Sequence, residues 1–315
     1  MSAVPIAARA LVKRYGELVA VDHVDLTVEP GDVFGYLGPN GAGKTTSLRM
    51  LLGLIRPTSG SVELFGRDPM QLGAAALEGV AGFVEGPRFY PYLSARRNLE
   101  LLADYDGKGV RRRIDEVLDL VELRDRARDR VGGYSHGMKQ RLGIAASLLR
   151  APRLLLLDEP TTGLDPAGMR DMRALVRRLA GEGITILLSS HLLNEVEELC
   201  NRVAIVRRGR VVYEGELAAL KAASADSYRL RTTDPQRALA HCDPRLGARL
   251  EDEALVLSAG EEALAALTVS LGRAGIGVLS LVPQQATLEQ LFLDLTEAPP
   301  AEPAPVEAEP VGAAA

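Results

Sequence analysis

The chain has no excess of positive charge. Its 37 Lys and Arg stand against 42 Asp and Glu, a formal net charge of -5 over 315 residues. That removes the basic footprint with which nucleic-acid-binding proteins neutralise phosphate backbones, and no nucleic-acid partner is expected. Cysteine is scarce too. Cys200 and Cys242 alone give neither a disulfide framework nor paired metal-ligand spacing, and read as two reduced thiols of a cytoplasmic protein. Long apolar runs are missing: the greasiest, in LLLLDEP, is cut off by Arg153 and Asp158. It falls short of the roughly 18 residues a membrane span requires, so the chain is expected not to cross a membrane itself. The opening MSAVPIAARALVKRYGE has no charged stretch followed by an apolar one, and no secretory leader is expected there.

What remains is 47% hydrophobic and 25% charged, an ordinary globular composition, and long enough for two domains. LVAVDHVDLTVEPG alternates in short runs that suggest antiparallel strands closed by Pro30-Gly31. DVFGYL reads as a buried strand, KTTSLRMLLGLI as the helix after it, and GSVELFG as another strand. From about 86 to 150 the texture turns helical, with Ile114, Val117, Leu118 and Val121 on one face. The arginines of RRRIDEVLDLVEL and RDRARDR read as a solvated face or as a surface for a partner. RLLLLDEP and GITILLSSH follow as buried strands around the helical AGMRDMRALVRRLAGE, which argues for a parallel sheet with crossover helices. RVAIVRRGRVVYEGE reads as a hairpin turning at Arg208-Gly209.

A second, small α+β unit is expected over 216–297, with SYRLRT, ARLEDEALVLSA and GVLSLV as strands and EEALAALTVSLGRA and LEQLFLDL as helices. The tail 298–315, rich in Pro, Ala and Glu, has almost nothing to bury and is expected to be disordered.

GPNGAGKTT, Gly38 to Thr46, meets every fixed position of G-x-x-x-x-G-K-[ST] between a strand and a helix. In that loop Gly38, Gly41 and Gly43, with Asn40 and Ala42, let backbone N–H groups converge on phosphate oxygens. Lys44 supplies a charge for the β- and γ-phosphates, while Thr45 is placed to ligate Mg²⁺ and Thr46 continues the cradle. LLLLDEP delivers Asp158 to the metal side, typically through water, and Glu159 where it can orient or deprotonate an attacking water. Together they read as a Mg²⁺-dependent nucleoside triphosphatase; the family resemblance below implies that the nucleotide is ATP. A second anion-binding turn stands nearly a hundred residues on, in VGGYSHGMKQRLGIAAS, where Ser135 and Gly137 open a long helix. Ser135 also fits a plain helix cap, Tyr15 a plain strand tyrosine and His191 a structural imidazole.

Across roughly residues 5 to 215 the chain resembles the ATP-binding subunits of ABC transporters, and YSHGMKQRLGIA stands where that family has its Leu-Ser-Gly-Gly-Gln signature. The resemblance implies a P-loop NTPase cassette over 1–215, α/β, with a RecA-like core, an antiparallel β-subdomain and a helical subdomain near 86–150. It implies that Ser135 and Gly137 of one copy bind the γ-phosphate held by a second copy, in a head-to-tail dimer. By the same resemblance Tyr15 in KRYGE stacks on adenine, Asp165 in GLDP crosses the dimer interface, and His191 in LLSSH contacts the γ-phosphate. Two positions depart from the pattern. His136 replaces the second signature residue, usually Gly, and must point away from the nucleotide. Glu85 in FVEGPRFYPYLS stands where a glutamine normally serves Mg²⁺ and the membrane partner.

These departures, and the closing ATLEQLFLDLTE, are similar to the bacitracin- and daunorubicin-resistance branch, whose members power export through a separate permease. The implied place is peripheral, at the cytoplasmic face of the membrane. A soluble nucleotide-gated regulatory protein and an importer subunit remain alternatives, and the C-terminal unit is expected to support dimerisation.

Overall fold

The computed structural model describes residues 3–105, 109–222, 227–283 and 288–297; the expected tail 298–315 lies outside them. The chain opens with β1 (Ile6–Tyr15) and β2 (Leu18–Val28), antiparallel to each other, then β3 (Val33–Leu37), the phosphate loop and α1 (Lys44–Leu51). β4 (Ser59–Leu64) returns to the free side of β1, completing a three-stranded antiparallel sheet in the order β2-β1-β4. After α2 (Pro69–Leu72), β5 (Val80–Phe83) leads into α3 (Ala95–Tyr105), α4 (Ile114–Leu120) and α5 (His136–Leu148). Then come β6 (Leu154–Asp158), α6 (Pro166–Gly181), β7 (Thr185–Ser190), α7 (Leu193–Leu199), β8 (Arg202–Arg207) and β9 (Arg210–Glu216).

The main sheet has six strands in the order β5-β6-β7-β3-β8-β9, parallel except for β9. Every residue of β3, β6 and β7 is buried, which explains their unbroken apolar runs. In register, Leu37 lies beside Ser190 and Asp158 beside Ser189. The loops leaving β3, β6 and β7 therefore emerge together at the carboxyl edge, where α/β sheets bind ligands. β5 has no strand pattern in the sequence. Its Gly82 has φ +152 and lies so close to β6 that a Cβ would stand 1.9 Å from Leu156 O.

The helical segment buries Leu99, Ile114, Val117, Leu118, Leu142 and Ile144 in one core with the underside of the main sheet. Its arginines are largely solvated, as in the exposed pairs Arg111–Asp104 and Arg113–Glu116.

Past β9 the chain forms α8 (Leu217–Ala222), β10 (Ser227–Thr232), α9 (Pro235–His241), β11 (Arg249–Glu251), β12 (Ala254–Ser258), α10 (Glu261–Arg273), β13 (Val278–Pro283) and α11 (Leu288–Glu297). A four-stranded sheet, β11-β12-β10-β13, builds its own core from Leu230, Leu255, Leu257, Leu264, Leu267 and Leu271. ARLEDEALVLSA, expected as one strand, is two: it reverses at Asp252 and Glu253, whose φ values are +45 and +60. Nor do all residues past 216 belong to that second core. Leu217 and Leu220 of α8 and Leu288 of α11 are buried in the cassette's large core instead.

Candidate active site

A cleft of about 730 Å³ opens at the carboxyl edge of the main sheet, lined by the phosphate loop, the ends of β6 and β7, the β1–β2 hairpin and the tip of β8–β9. The loop's shape is forced. Gly41 and Gly43 have φ +81 and +101, and a Cβ on Gly43 would stand 2.4 Å from Ala20 O. Gly43 also occupies the N-cap of α1, so the helix opens on bare backbone N–H groups directed at the cleft.

Lys44 is 6% exposed and folds back over the loop, donating to Gly38 O at 2.7 Å and lying 3.2 Å from Glu159 Oε1. Asp158 is buried at the end of β6. It accepts from Ser189 Oγ at 2.5 Å and from Thr45 Oγ1 at 3.1 Å. Glu159 has φ +50, a region a non-glycine residue seldom adopts, and this turns its carboxylate out of the strand and into the cleft. Its Oε2 sits 2.6 Å from His191 Nδ1 and accepts from Thr162 Oγ1 at 2.8 Å. Ser189 ties the two residues together, since its hydroxyl also accepts the Glu159 backbone N–H at 3.0 Å.

At the other end of the cleft Tyr15 is 47% exposed, with the Lys13 ammonium 5.1 Å from its ring centroid. Lys13 is itself tied to Arg56 O at 2.7 Å.

Ser135, Gly137 and Asp165 line a different cavity, of about 470 Å³. Ser135 is the N-cap of α5, accepting from Met138 N at 3.2 Å, and Asp165 is the N-cap of α6, accepting from Gly168 N at 2.8 Å. His136 is turned toward the Gly163 turn, its ring lying 3.4 Å from where a Gly163 Cβ would be, and toward Gln140.

The Glu85 carboxylate pairs with Arg49 of α1, and its backbone N–H donates to Asp158 Oδ2 at 3.3 Å. The physical reason is charge: a second carboxylate beside Asp158 would be repelled, whereas the Arg49 guanidinium attracts it.

Sequence reasoning also missed part of the wall. Leu18, Val19, Ala20, Thr162, Arg208 and Gly209 line the cleft. The hairpin tip is fastened there by Gly209 N–H to Ala42 O at 3.0 Å and Asp22 N–H to Gly209 O at 2.8 Å. No local pattern marks a hairpin tip as a pocket wall, although Arg208-Gly209 was visible as the turn.

Comparison with known proteins fits this geometry. The ABC transporter family model matches residues 21–162. The bacitracin transport ATP-binding protein BcrA of Bacillus licheniformis is 46% identical over 230 residues, 73% of this chain and 75% of that one. The chain belongs to the ABC transporter ATP-binding proteins. A daunorubicin resistance ATP-binding protein, DrrA3 of Streptomyces coeruleorubidus, is 39% identical over 294 residues, 90% of this chain and 93% of its own. A bacterial ABC transporter cassette solved as a dimer is 28% identical, with a TM-score of 0.61, covering 67% of this chain and 98% of that one. The fold is that of an ABC cassette, and the chain is an ATP-binding ATPase of a transport system, grouping with the bacitracin and daunorubicin branch.

Proposed function

We propose that two copies of this chain pair head to tail around two Mg-ATP and drive export through a separate membrane permease. One observation carries the pairing. The phosphate loop and the Ser135–Gly137 turn line two cavities with no residue in common, which supports a second copy bringing its turn to this cleft. In that arrangement the helix N-terminus of one copy meets the γ-phosphate held by the other, across a two-fold interface.

The residues then take these roles. Adenine stacks on the cleft face of Tyr15, with the Lys13 ammonium adding to the ring's electrostatics. Lys44 moves from Gly38 O and Glu159 to the β- and γ-phosphates, which frees one Glu159 oxygen to orient the attacking water. His191 keeps the other Glu159 oxygen in place through Nδ1. Thr45 and Asp158 would hold Mg²⁺: their oxygens stand 3.1 Å apart, near the roughly 2.9 Å between adjacent ligands in an octahedral shell of that ion. When bound, the ion offsets the developing phosphate charge. Ser135 and the α5 N-terminus of the second copy add donors on the far side.

Export is supported by the relatives named for bacitracin transport and daunorubicin resistance, and a drug-like cargo follows the same lead. Among the described residues no helix is long and apolar enough to cross a membrane. The permease is assigned to an apolar groove of about 590 Å³ between β5 and the helical segment, where Leu54, Leu102 and Tyr105 stand exposed. That groove adjoins Glu85, whose backbone touches Asp158, so a docked segment has a short route to the nucleotide.

Glu159→Gln tests the reading. It is expected to lower ATPase turnover at least about 100-fold and to give a stable dimer by light scattering only with Mg-ATP. Unchanged turnover, or a monomer at saturating ATP, would overturn it.

A further inference from the structure

Glu195 is a buried carboxyl with no part in the mechanism above. It lies on the first turn of α7, four residues past His191, and is 2% exposed. One of its oxygens, Oε2, accepts two hydroxyls: Thr161 Oγ1 at 2.6 Å and Ser190 Oγ at 3.2 Å. Both donors are buried, at 3% and 1% exposure. Thr161 follows Glu159 by two residues in the turn leaving β6, and Ser190 immediately precedes His191 at the end of β7. Ser190 Oγ in turn accepts the Leu192 N–H at 2.9 Å, which fixes the turn that carries His191. A single side chain therefore joins the two segments whose tips meet at the 2.6 Å contact of Glu159 with His191.

The other oxygen, Oε1, is buried with no hydrogen-bond partner. Burial pushes the Glu195 carboxyl up from its ordinary range, with the Thr161 and Ser190 hydroxyls pulling the other way. The geometry asks for an acceptor here: Oε2 takes both hydroxyls. A residue of merely apolar size would leave two buried hydroxyls without their acceptor.

We propose that Glu195 is a positioning residue for hydrolysis: it ties Thr161 to Ser190 and thereby sets the approach of Glu159 to His191. The inference rests on the ATPase reading of the cleft, with Glu159 and His191 acting as a pair. A misplacement of about 1 Å at a reacting centre can cost about 100-fold in rate, so this positioning bears directly on turnover.

The test compares the full chain with Glu195→Gln and Glu195→Leu by steady-state ATPase kinetics. Gln keeps the carbonyl acceptor and is expected to recover most of the turnover. Leu is expected to lower kcat by roughly 10–100-fold while KM for ATP stays within about 3-fold, since the phosphate loop is untouched. Thr161→Val combined with Ser190→Ala removes the same two bonds from the other side, and is expected to reproduce the Leu loss even if Leu itself fails to fold. A Leu variant at normal kcat would overturn the proposal. So would a Gln variant as poor as Leu, or an intact rate in the double variant. An inactive unmodified chain would instead sink the ATPase reading on which it rests.

Discussion

Glu159 shows how much of the site rests on single residues. Its left-handed backbone and its three side-chain partners, Lys44, Thr162 and His191, fix one carboxylate in the middle of the cleft. Strain of that kind typically costs about 1–3 kcal/mol and persists where the surroundings over-determine it. Asp158 and Glu159 could be read from sequence where an apolar strand stops, Lys44 and Thr45 by the fixed positions of the phosphate-loop motif, and His191 at a strand end by resemblance to the family. Glu195 and Arg208 could not, since their meaning depends on segments far away in the chain. Glu85 shows that alignment with a family position says where a backbone lies, not what its side chain meets. Its ion pair with Arg49 is half exposed, and such pairs are worth about 0–1 kcal/mol. Glu85→Ala should therefore lower stability by less than about 1 kcal/mol and leave the Mg²⁺ concentration for half-maximal ATPase unchanged. A several-fold rise in that concentration would return the carboxylate to the metal.

Among the elements, α11 carries the least expected placement. Its periodicity announces a helix with one apolar face, but nothing in that face names the surface it covers. The structure packs Leu291, Phe292 and Leu295 against the cassette core and buries Leu288 completely, beside α7 rather than on the nearby four-stranded sheet. The Leu288 N–H also reaches Glu197 Oε1 at 3.4 Å, and Lys221 of α8 pairs with the same oxygen at 2.9 Å. α7 thus has Glu195 directed toward the ends of β6 and β7 and Glu197 toward α11. Leu288→Ala should cost about 2–5 kcal/mol in urea unfolding, as for other large-to-small core changes; a loss under 1 kcal/mol would mean that α11 is only loosely held. The break between β11 and β12 went unread for a simpler reason. Asp252-Glu253 lacks the Gly or Asn that usually marks a two-residue hairpin turn.

At the scale of the whole molecule, the layered α/β architecture was legible because β3, β6 and β7 are buried on both faces and therefore lose the alternation of half-exposed strands. What no run of residues can display is that the phosphate loop and the Ser135 turn belong to different cavities. The proposed sharing of each working centre between two copies requires that defects sort by side rather than by severity. Lys44→Ala spoils a copy's own cleft, and Ser135→Arg spoils only what that copy offers its neighbour. Each variant alone should be inactive. Mixed in equal amounts, they should regain about a quarter of normal ATPase, because half the pairs are mixed and each mixed pair keeps one sound centre of two. No recovery on mixing would refute the sharing. In a cell carrying both alleles the two lesions would complement, and either one beside a normal allele would likewise leave one sound centre in each mixed pair.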